Sequence, residues 1–302
     1  MNAVRTSYTP GREVSLRLTL GPLAQGRTDP TMQRDATGIW LALATAAGSA
    51  SLHLREAGGR IDATAWGEGA EAALAQVPAL CGADDDDSGF DETRHPLIAE
   101  LHRRMPGLRL TRATRILAYL VPTILGQKVT GIEQKRAWRE LVTRHGEPAP
   151  GPAPIGMRVA PPAEVWRRVP SWEWHRAGVG PQRSDTVMRA VAVGDSLERA
   201  GAVDAAEATR RLRTIPGIGV WTAHETVQRS HGDPDSVSIG DFHTCKRVGA
   251  ALIGRRVDDD GMLELLEPWR GHRQRVVRLI EAAGIGYERH APRMTIVDNR
   301  AR

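Results

Sequence analysis

The sequence predicts an α+β fold, in which a small antiparallel β-rich domain precedes a larger, mainly α-helical region. In the first third of the chain, apolar and polar residues alternate in short segments that glycines separate, as in an antiparallel meander. From His95 onward, apolar residues recur at helical spacing instead. We therefore predict an N-terminal α+β domain over residues 1–88 and a helical region over residues 89–302.

The elements of the first domain follow from this alternation, except that residues 39–46 are a continuous apolar run. The segments with a strand pattern are 15–20, 39–46, 50–55 and 60–66. Residues 69–77 predict a helix that ends before Pro78. The acidic run 84–87 then predicts a solvent-exposed linker.

The first half of the helical region contains two further predicted features. Residues 111–145 predict one or two helices that break or kink near Pro122. Residues 146–166 are rich in proline and predict a connector without regular structure.

Residues 204–230 predict two helices joined by a very short hairpin. Asp204 can cap the first helix, which extends to Ile215. Pro216 disfavours a helical conformation at Ile215 and therefore ends this helix. The second helix begins near Val220, where apolar residues again share one helical face.

Composition limits the possible functions. With 302 residues, 41% of them hydrophobic and 25% charged, the chain is an ordinary soluble protein. It contains no run of about 18 apolar residues that could span a membrane, and its N-terminus lacks the apolar segment of a signal peptide, so we expect a cytoplasmic protein. The net charge is +5, and only three of the basic residues are lysines. Arginine suits phosphate contacts, although a GC-rich genome would also increase its frequency.

The hairpin itself has the features of a phosphate site. We expect Gly217 and Gly219 to allow positive φ angles and to expose the N–H groups at the start of the second helix. A phosphate oxygen could then approach closely, although a simple helix corner would explain the glycines equally well. The candidate phosphate-binding residues are Pro216, Gly217, Ile218, Gly219 and Thr222.

A candidate catalytic carboxylate follows the hairpin. Asp241 comes after a loop and directly before a segment with helical spacing, so we place it at the N-cap of the next helix. Capping is the ordinary role of such an aspartate. Backbone N–H donors also favour the charged form of the carboxylate, which could then stabilise developing positive charge.

In order and spacing, these motifs resemble the helix–hairpin–helix DNA glycosylases, and more narrowly the bacterial 3-methyladenine DNA glycosylase II group. The similar segments are "MPGLRL" (105–110), "ILGQKVT" (124–130), "LRTIPGIGVWTA" (212–223), the D-x-x-x-x-K of residues 241–246 and "LEPWR" (266–270). The resemblance covers residues 95 to 278 and extends more weakly to the β-rich domain.

The resemblance implies a repair enzyme that acts as a monomer on double-stranded DNA containing alkylated bases. The hairpin would bind DNA phosphate while a damaged nucleotide is flipped into a pocket. Asp241 would stabilise the oxocarbenium character that develops as the N-glycosidic bond breaks. N-alkylated purines are cationic leaving groups, so the reaction would leave an abasic site without needing a general acid.

Trp221 distinguishes between two chemistries. In the resembling enzymes this position faces the base pocket, where an aromatic ring attracts a cationic base, although a core position is the alternative. Family members that also cut the strand have a Schiff-base lysine here, and tryptophan cannot form that adduct. The resemblance therefore implies a monofunctional glycosylase.

Several positions depart from the family pattern. Glu225 and Arg278 stand where we expect aromatic residues of the base pocket. Gln127 and Lys128 stand where an apolar wedge would fill the gap left by the flipped base. A lysine stem could still fill that space with its ammonium near phosphate.

We expect no cofactor. Cys81 and Cys245 are the only cysteines, so a cysteine-only iron–sulfur cluster cannot form. As in family hairpins, the backbone carbonyls of Arg213, Ile215 and Ile218 could hold a sodium or potassium ion.

Two alternatives to a monofunctional enzyme stay open at this stage. The altered pocket positions would also suit a DNA-binding protein that has lost base excision or changed its specificity. A strand-cutting lyase is the other alternative, and it predicts a covalent adduct with DNA that borohydride can trap.

Overall fold

The computed structural model describes residues 2–287 and has the expected α+β fold. Within these residues, the N-terminal strands form one antiparallel sheet in the order β1-β5-β4-β3-β2. The strands are β1 (Val4–Tyr8), β2 (Met32–Arg34), β3 (Ile39–Thr45), β4 (Gly48–Ala57) and β5 (Arg60–Trp66). Strands β3 to β5 confirm the segments expected over residues 39–66, whereas β1 and β2 lie outside every predicted strand.

Residues 15–20, expected to be a strand, form the short helix α1 (Leu16–Leu20). Leu16 and Leu20 are four positions apart, share one helix face and are buried in the β-domain core. Leu18 packs instead against the core formed by the C-terminal helices. Because α1 packs against two cores, apolar residues lie on both of its sides. The three leucines therefore alternate with polar residues, and this is also the pattern of a strand.

The helix expected over residues 69–77 is divided into α2 (Ala70–Ala75) and α3 (Val77–Leu80). Pro78 lies in the first turn of α3, where the N–H that proline lacks has no partner within the helix. The proline therefore begins a second helix rather than only following the first.

The remaining helices build the larger region. They are α4 (Pro96–Arg104), α5 (Ile116–Leu125), α6 (Gly131–His145), α7 (Ala163–Trp166), α8 (Ser171–Arg176), α9 (Pro181–Ala192), α10 (Gly194–Arg199), α11 (Ala205–Arg213), α12 (Val220–Ser230), α13 (Thr244–Ile253), α14 (Asp259–Leu266) and α15 (Arg273–Ala282). Helix α5 continues through Pro122, so the expected break lies at residues 126–130. A capping box between Thr130 and Glu133 starts α6 there.

The proline-rich segment 146–166 is more structured than the expected connector. It contains a two-stranded ribbon, β6 (Glu147–Pro148) paired with β7 (Arg158–Val159). Val159 of this ribbon and Met157, which directly precedes β7, pack with Trp40 in a small apolar cluster. The segment therefore covers part of the sheet before it reaches α7.

The acidic run 84–87 does not form the expected solvent-exposed linker. Asp85 is buried, and its carboxylate pairs with the guanidinium of Arg275 on α15 at 2.6 Å. Asp87 pairs with Arg12 and with Arg109. The run thus joins the β-rich domain to the C-terminal helices through ion pairs.

Three large apolar cores organise the described chain. The first lies beneath the sheet, the second is formed largely by α5, α6, α9, α11 and α12, and the third combines α4 with α13, α14 and α15. The hairpin between α11 and α12 belongs to the second core, and the loop after α12 leads into the third. No helix within residues 2–287 has the length and apolar character needed to cross a membrane.

Candidate nucleic-acid interface and active site

The hairpin between α11 and α12 forms as the sequence predicts, but its two glycines differ. Asp204 caps α11 by accepting a hydrogen bond from Glu207 N at 2.7 Å. Gly217 has a φ of +97°, and a Cβ there would collide with the side chain of Thr186 on α9. Gly219 has a φ of −91°, so the positive angle expected at this residue is not observed. A Cβ on Gly219 would meet no atom within 4 Å, which leaves the start of α12 open to a ligand.

The other candidate phosphate residues turn most of their polar groups inward. Thr222 is 2% exposed, and its hydroxyl accepts a hydrogen bond from Gln127. Arg189 donates to the Pro216 carbonyl at 3.1 Å. The N–H of Ile218 donates to the Ile215 carbonyl, one of the candidate cation ligands. The accessible donors of the hairpin are therefore backbone N–H groups at the start of α12 rather than the Thr222 side chain.

Asp241 lies in the loop that leads to α13. Its Oδ1 accepts hydrogen bonds from His243 N at 2.8 Å, from Thr244 N at 2.7 Å and from the Thr244 hydroxyl at 2.9 Å. The helix begins at Thr244, so the backbone N-cap is His243 rather than Asp241. The Asp241 side chain still performs the capping, and this fixes its carboxylate at the helix start.

Trp221 connects this loop with the loop between α5 and α6. A Cβ added to Gly126 would lie 3.5 Å from Cη2 of Trp221, and one added to Gly240 would lie 4.0 Å from its Cβ. Both distances are ordinary van der Waals contacts, so Trp221 packs beside Gly126, which precedes the candidate wedge residues, and beside Gly240, which precedes Asp241.

The loop with the candidate wedge residues lies against the hairpin. Gln127 donates from Nε2 to the Gly217 carbonyl and to the Thr222 hydroxyl, each at 2.9 Å. Lys128 is exposed, and its φ of +54° lies in the left-handed region that residues other than glycine rarely adopt. The two neighbouring residues therefore have different surroundings.

Glu225 is one helical turn beyond Trp221 and is held by two partners. Its carboxylate pairs with Arg229 at 2.9 Å and accepts a hydrogen bond from the Ser238 hydroxyl. The Ser238 carbonyl in turn accepts from Asp241 N at 3.1 Å. Glu225 is thus connected to the Asp241 loop, and its charge is balanced by arginine.

Arg278 lies on α15, whereas Glu225 and Arg229 lie on α12. Arg278 pairs with Glu281 at 2.9 Å and lines a small cavity of about 20 Å³ together with Arg229. Arg278 and Arg229 thus line the same cavity, and Arg229 in turn pairs with Glu225.

Three neighbours of the site were not found by sequence reasoning. Arg229 is four residues after Glu225, a spacing that indicates a helical ion pair and could have revealed it. Ser238 gives no such local signal. Phe242 is 68% exposed directly after Asp241, and Lys246 Nζ lies 2.9 Å from the centre of its ring.

Neither cysteine has the properties of a reactive thiol. Burial, followed by the nearby Asp259 carboxylate, raises the pKa of Cys245. Burial likewise raises the pKa of Cys81 to about 12. Both thiols therefore stay protonated at neutral pH and are poor nucleophiles.

The overall fold matches solved structures along almost the whole chain. A 3-methyladenine DNA glycosylase from Archaeoglobus fulgidus superimposes with a TM-score of 0.75 at 13% identity, over 91% of this chain and 97% of that one. The chain has the helix–hairpin–helix DNA glycosylase fold. The 8-oxoguanine glycosylase/lyase of Clostridium acetobutylicum shares it with a TM-score of 0.71 at 12% identity, over 93% and 96% of the two chains.

A third solved structure with a similar fold contains DNA. The protein MBOgg1, in complex with a low-affinity DNA ligand, superimposes with a TM-score of 0.72 at 14% identity, over 94% of this chain and 98% of that one. No family model and no curated protein matches the sequence. Within the shared fold, the chemistry of this chain thus depends on its own side chains.

Proposed function

We propose that this chain is a monofunctional DNA glycosylase that flips an N-alkylated purine of the 3-methyladenine type out of double-stranded DNA and hydrolyses its N-glycosidic bond. The observation that carries the proposal is that the carboxylate of Asp241 is anchored at the start of α13, while Gly240, the residue before it, packs against Trp221. The product is an abasic site. The fold shared with DNA glycosylases supports the same reaction class.

The proposed chemistry needs an anion, an aromatic surface and a phosphate anchor. As the glycosidic bond breaks, positive charge develops on the sugar, and the carboxylate of Asp241 stabilises it. The Trp221 ring attracts the cationic base of an N-alkylated purine. Backbone N–H groups at Gly219 and Val220 hold the DNA phosphate.

Monofunctional chemistry follows from the residue at position 221. Tryptophan has no amine that could form a Schiff base with the sugar, so the strand should not be cut by β-elimination. The chain contains only three lysines, and Lys246, the lysine nearest to Asp241 in the sequence, lies over the Phe242 ring. We accordingly expect no covalent product when borohydride is added during the reaction.

The remaining properties belong to the same proposal. The protein works as a monomer in the cytoplasm, where it associates with the nucleoid, and it needs no iron–sulfur cluster. A sodium or potassium ion could bind the hairpin carbonyls of Arg213, Ile215 and Ile218. Phosphate binding releases counterions, so affinity for DNA should fall as salt concentration rises.

Release of free base tests the proposal directly. Duplex DNA treated with a methylating agent is incubated with wild-type protein and with Asp241→Asn. Asparagine keeps an oxygen that can accept the same hydrogen bonds but lacks the charge, so we expect base release to fall by about 10²–10³-fold. Asp204→Asn is the matched control, because Asp204 also caps a helix but lies outside the site. It should leave the rate unchanged.

The results also separate the proposal from its alternative. The ion pair between Glu225 and Arg229 removes a free carboxylate from the pocket and would suit a DNA-binding protein with lost or altered excision. Such a protein would bind DNA with the same salt dependence but release no methylated purine. Full activity in Asp241→Asn would instead refute the role assigned to Asp241.

A further inference from the structure

A loop of the β-rich domain lies along helix α6. Residues 25–29 accept hydrogen bonds from this helix: Gln134 Nε2 donates to the side-chain oxygen of Gln25 at 2.8 Å, and the guanidinium of Arg139 donates to the Thr28 hydroxyl at 3.1 Å. Because Gln134 and Arg139 are more than one helical turn apart, the loop follows the helix rather than touching it at one point. Loop and helix therefore present one shared surface.

Three exposed cations meet on this surface. Lys135 and Arg139 are four positions apart on α6, and Arg27 belongs to the loop. The stem of Lys135 packs so closely on Gly26, the residue before Arg27, that an added Cβ would lie 2.9 Å from Lys135 Cδ. The cations thus come from segments that are far apart in the chain and are brought together by the fold. We call Arg27, Lys135 and Arg139 the α6 surface.

The α6 surface has no counter-charge within residues 2–287, where none of its three cations pairs with a carboxylate. Further along the same helix, Arg144 does pair with Glu173, at 2.6 Å. The acidic residues of α6, Glu133 and Glu140, are seven positions apart and share another face of the helix. Like charges four positions apart destabilise a helix, so the arrangement is unfavourable for folding and suits a bound anion.

This surface continues from the hairpin between α11 and α12. Gln127 donates to the Gly217 carbonyl at 2.9 Å, and α6 begins shortly afterwards, at Gly131. At 1.5 Å per residue, Arg139 lies about 12 Å along the helix from Gly131. Duplex DNA carries a negative charge about every 1.7 Å of its axis. A duplex with one phosphate at the hairpin therefore presents several further phosphates over the length of the α6 surface.

We propose that the α6 surface is a second DNA-contact surface, which binds phosphates of the duplex that flanks the nucleotide at the active site. Duplex DNA is the partner that fits, because its charge continues from the hairpin along the helix. The contacts raise affinity without reading sequence and take no part in bond cleavage. This inference rests on the proposed function as far as DNA binding is concerned, but it does not require release of a base.

The test measures affinity for an undamaged duplex that extends past the hairpin on both sides, by fluorescence anisotropy at a series of salt concentrations. The α6 variant replaces the whole surface, as Arg27→Gln, Lys135→Gln and Arg139→Gln together. A control variant loses the same net charge at exposed positions on β1, α4 and α10, through Arg5→Gln, Arg104→Gln and Arg199→Gln. Thermal unfolding verifies that both variants are folded.

Each phosphate contact adds about 0.9 to the slope of the logarithm of affinity against the logarithm of salt concentration. We therefore expect the α6 variant to lower this slope by about 2–3, and the affinity by about tenfold to a hundredfold at about 0.1 M salt. The control variant should keep the wild-type slope. If the α6 variant does not fold, Arg27→Gln with Lys135→Gln keeps the hydrogen bond of Arg139 and should lower the slope by about 2.

Two results would overturn the inference. Equal slopes in the α6 variant and the control variant would show that the three cations do not contact DNA. Binding of the wild type to phosphatidylglycerol vesicles that is lost in the α6 variant, with DNA affinity unchanged, would assign the surface to a membrane instead. Failure to release methylated bases would refute the proposed function but leave a measured difference in slope, and hence the second contact surface, intact.

Discussion

The two glycines of the hairpin meet different physical requirements. Gly217 combines a φ of +97° with a closely packed neighbour, so folding itself requires the absence of a Cβ. Gly219 has a φ of −91° and open space around it, so the fold would accept another residue. Folding therefore does not require a glycine at 219, and the missing side chain leaves the start of α12 open, as the proposed phosphate contact needs.

This difference predicts opposite outcomes for two similar substitutions. Gly219→Ala should change the free energy of unfolding by no more than about 1 kcal/mol, yet weaken binding of duplex DNA, because the added methyl group holds phosphate away. Gly217→Ala should destabilise the protein by about 1–3 kcal/mol through backbone strain and collision with Thr186. Thermal unfolding and fluorescence anisotropy measure the two effects. Unchanged DNA affinity in Gly219→Ala would argue against a phosphate at this helix start.

The sequence revealed several candidate site residues that belong to local motifs, but it did not reveal the contacts that join them across the chain. Trp221 and Asp241 follow from the hairpin and from the helix start after it, which fixed spacing makes recognisable. The hydrogen bond from Gln127 to Gly217 spans 90 residues, and the one from Ser238 to Glu225 spans 13. No periodicity encodes such pairs, because the fold alone brings them together.

At the scale of elements, Asp235 ties the loop before Asp241 to the start of α15. Its carboxylate accepts hydrogen bonds from Gly271 N at 2.8 Å and from Arg273 N at 3.1 Å, and it pairs with the Arg273 guanidinium. Partial burial favours a higher pKa for Asp235. The hydrogen bonds and the positive charge of Arg273 outweigh it, so the pKa of Asp235 lies below its usual 3.8.

The lowered pKa predicts how this contact depends on pH. The stabilisation is fully present above the unfolded pKa of 3.8 and is lost as pH falls through the lower pKa of the folded state. Asp235→Asn should therefore lower the free energy of unfolding by about 1.5–3 kcal/mol at pH 7, and by progressively less below pH 3.8. Urea unfolding between these pH values measures the difference. Asp260→Asn, at an exposed position on α14, is the control, and a difference that persists in acid would contradict the assignment.

Elements were predictable where one face of a segment meets one core. Strand β5 buries one side in the core that it shares with α1 and α2, and its alternation was recognised correctly, whereas β3 is buried on both sides and was recognised as a continuous apolar run. Helix α1 contacts two cores and was mistaken for a strand. The ribbon of β6 and β7 could not be expected from its prolines, because its packing partner, Trp40, lies more than a hundred positions earlier in the chain.

At the scale of the whole molecule, the acidic run 84–87 joins parts of the protein that the sequence separates. The side chains of Asp85 and Arg275 are 1% and 3% exposed, and they are 190 residues apart. Asp85 also accepts a hydrogen bond from Leu110 N at 3.1 Å. A run of aspartates without nearby arginines looks solvated in the sequence, because its partners are supplied by remote elements.

Burial of this pair predicts a strong asymmetry between single and double substitutions. Arg275→Met leaves the Asp85 carboxylate buried without its cation and should lower the free energy of unfolding by about 3–5 kcal/mol. Replacing both residues, as Asp85→Leu with Arg275→Met, removes both charges and should recover much of that loss. Urea unfolding of the wild type, both single variants and the double variant measures the coupling. If the two losses simply add, the pair does not act as a unit. Helix α15 also carries Arg278, which lines a cavity together with Arg229. Loss of the Asp85–Arg275 ion pair should therefore also disturb Arg229 and its partner Glu225, and through Ser238 the loop that contains Asp241.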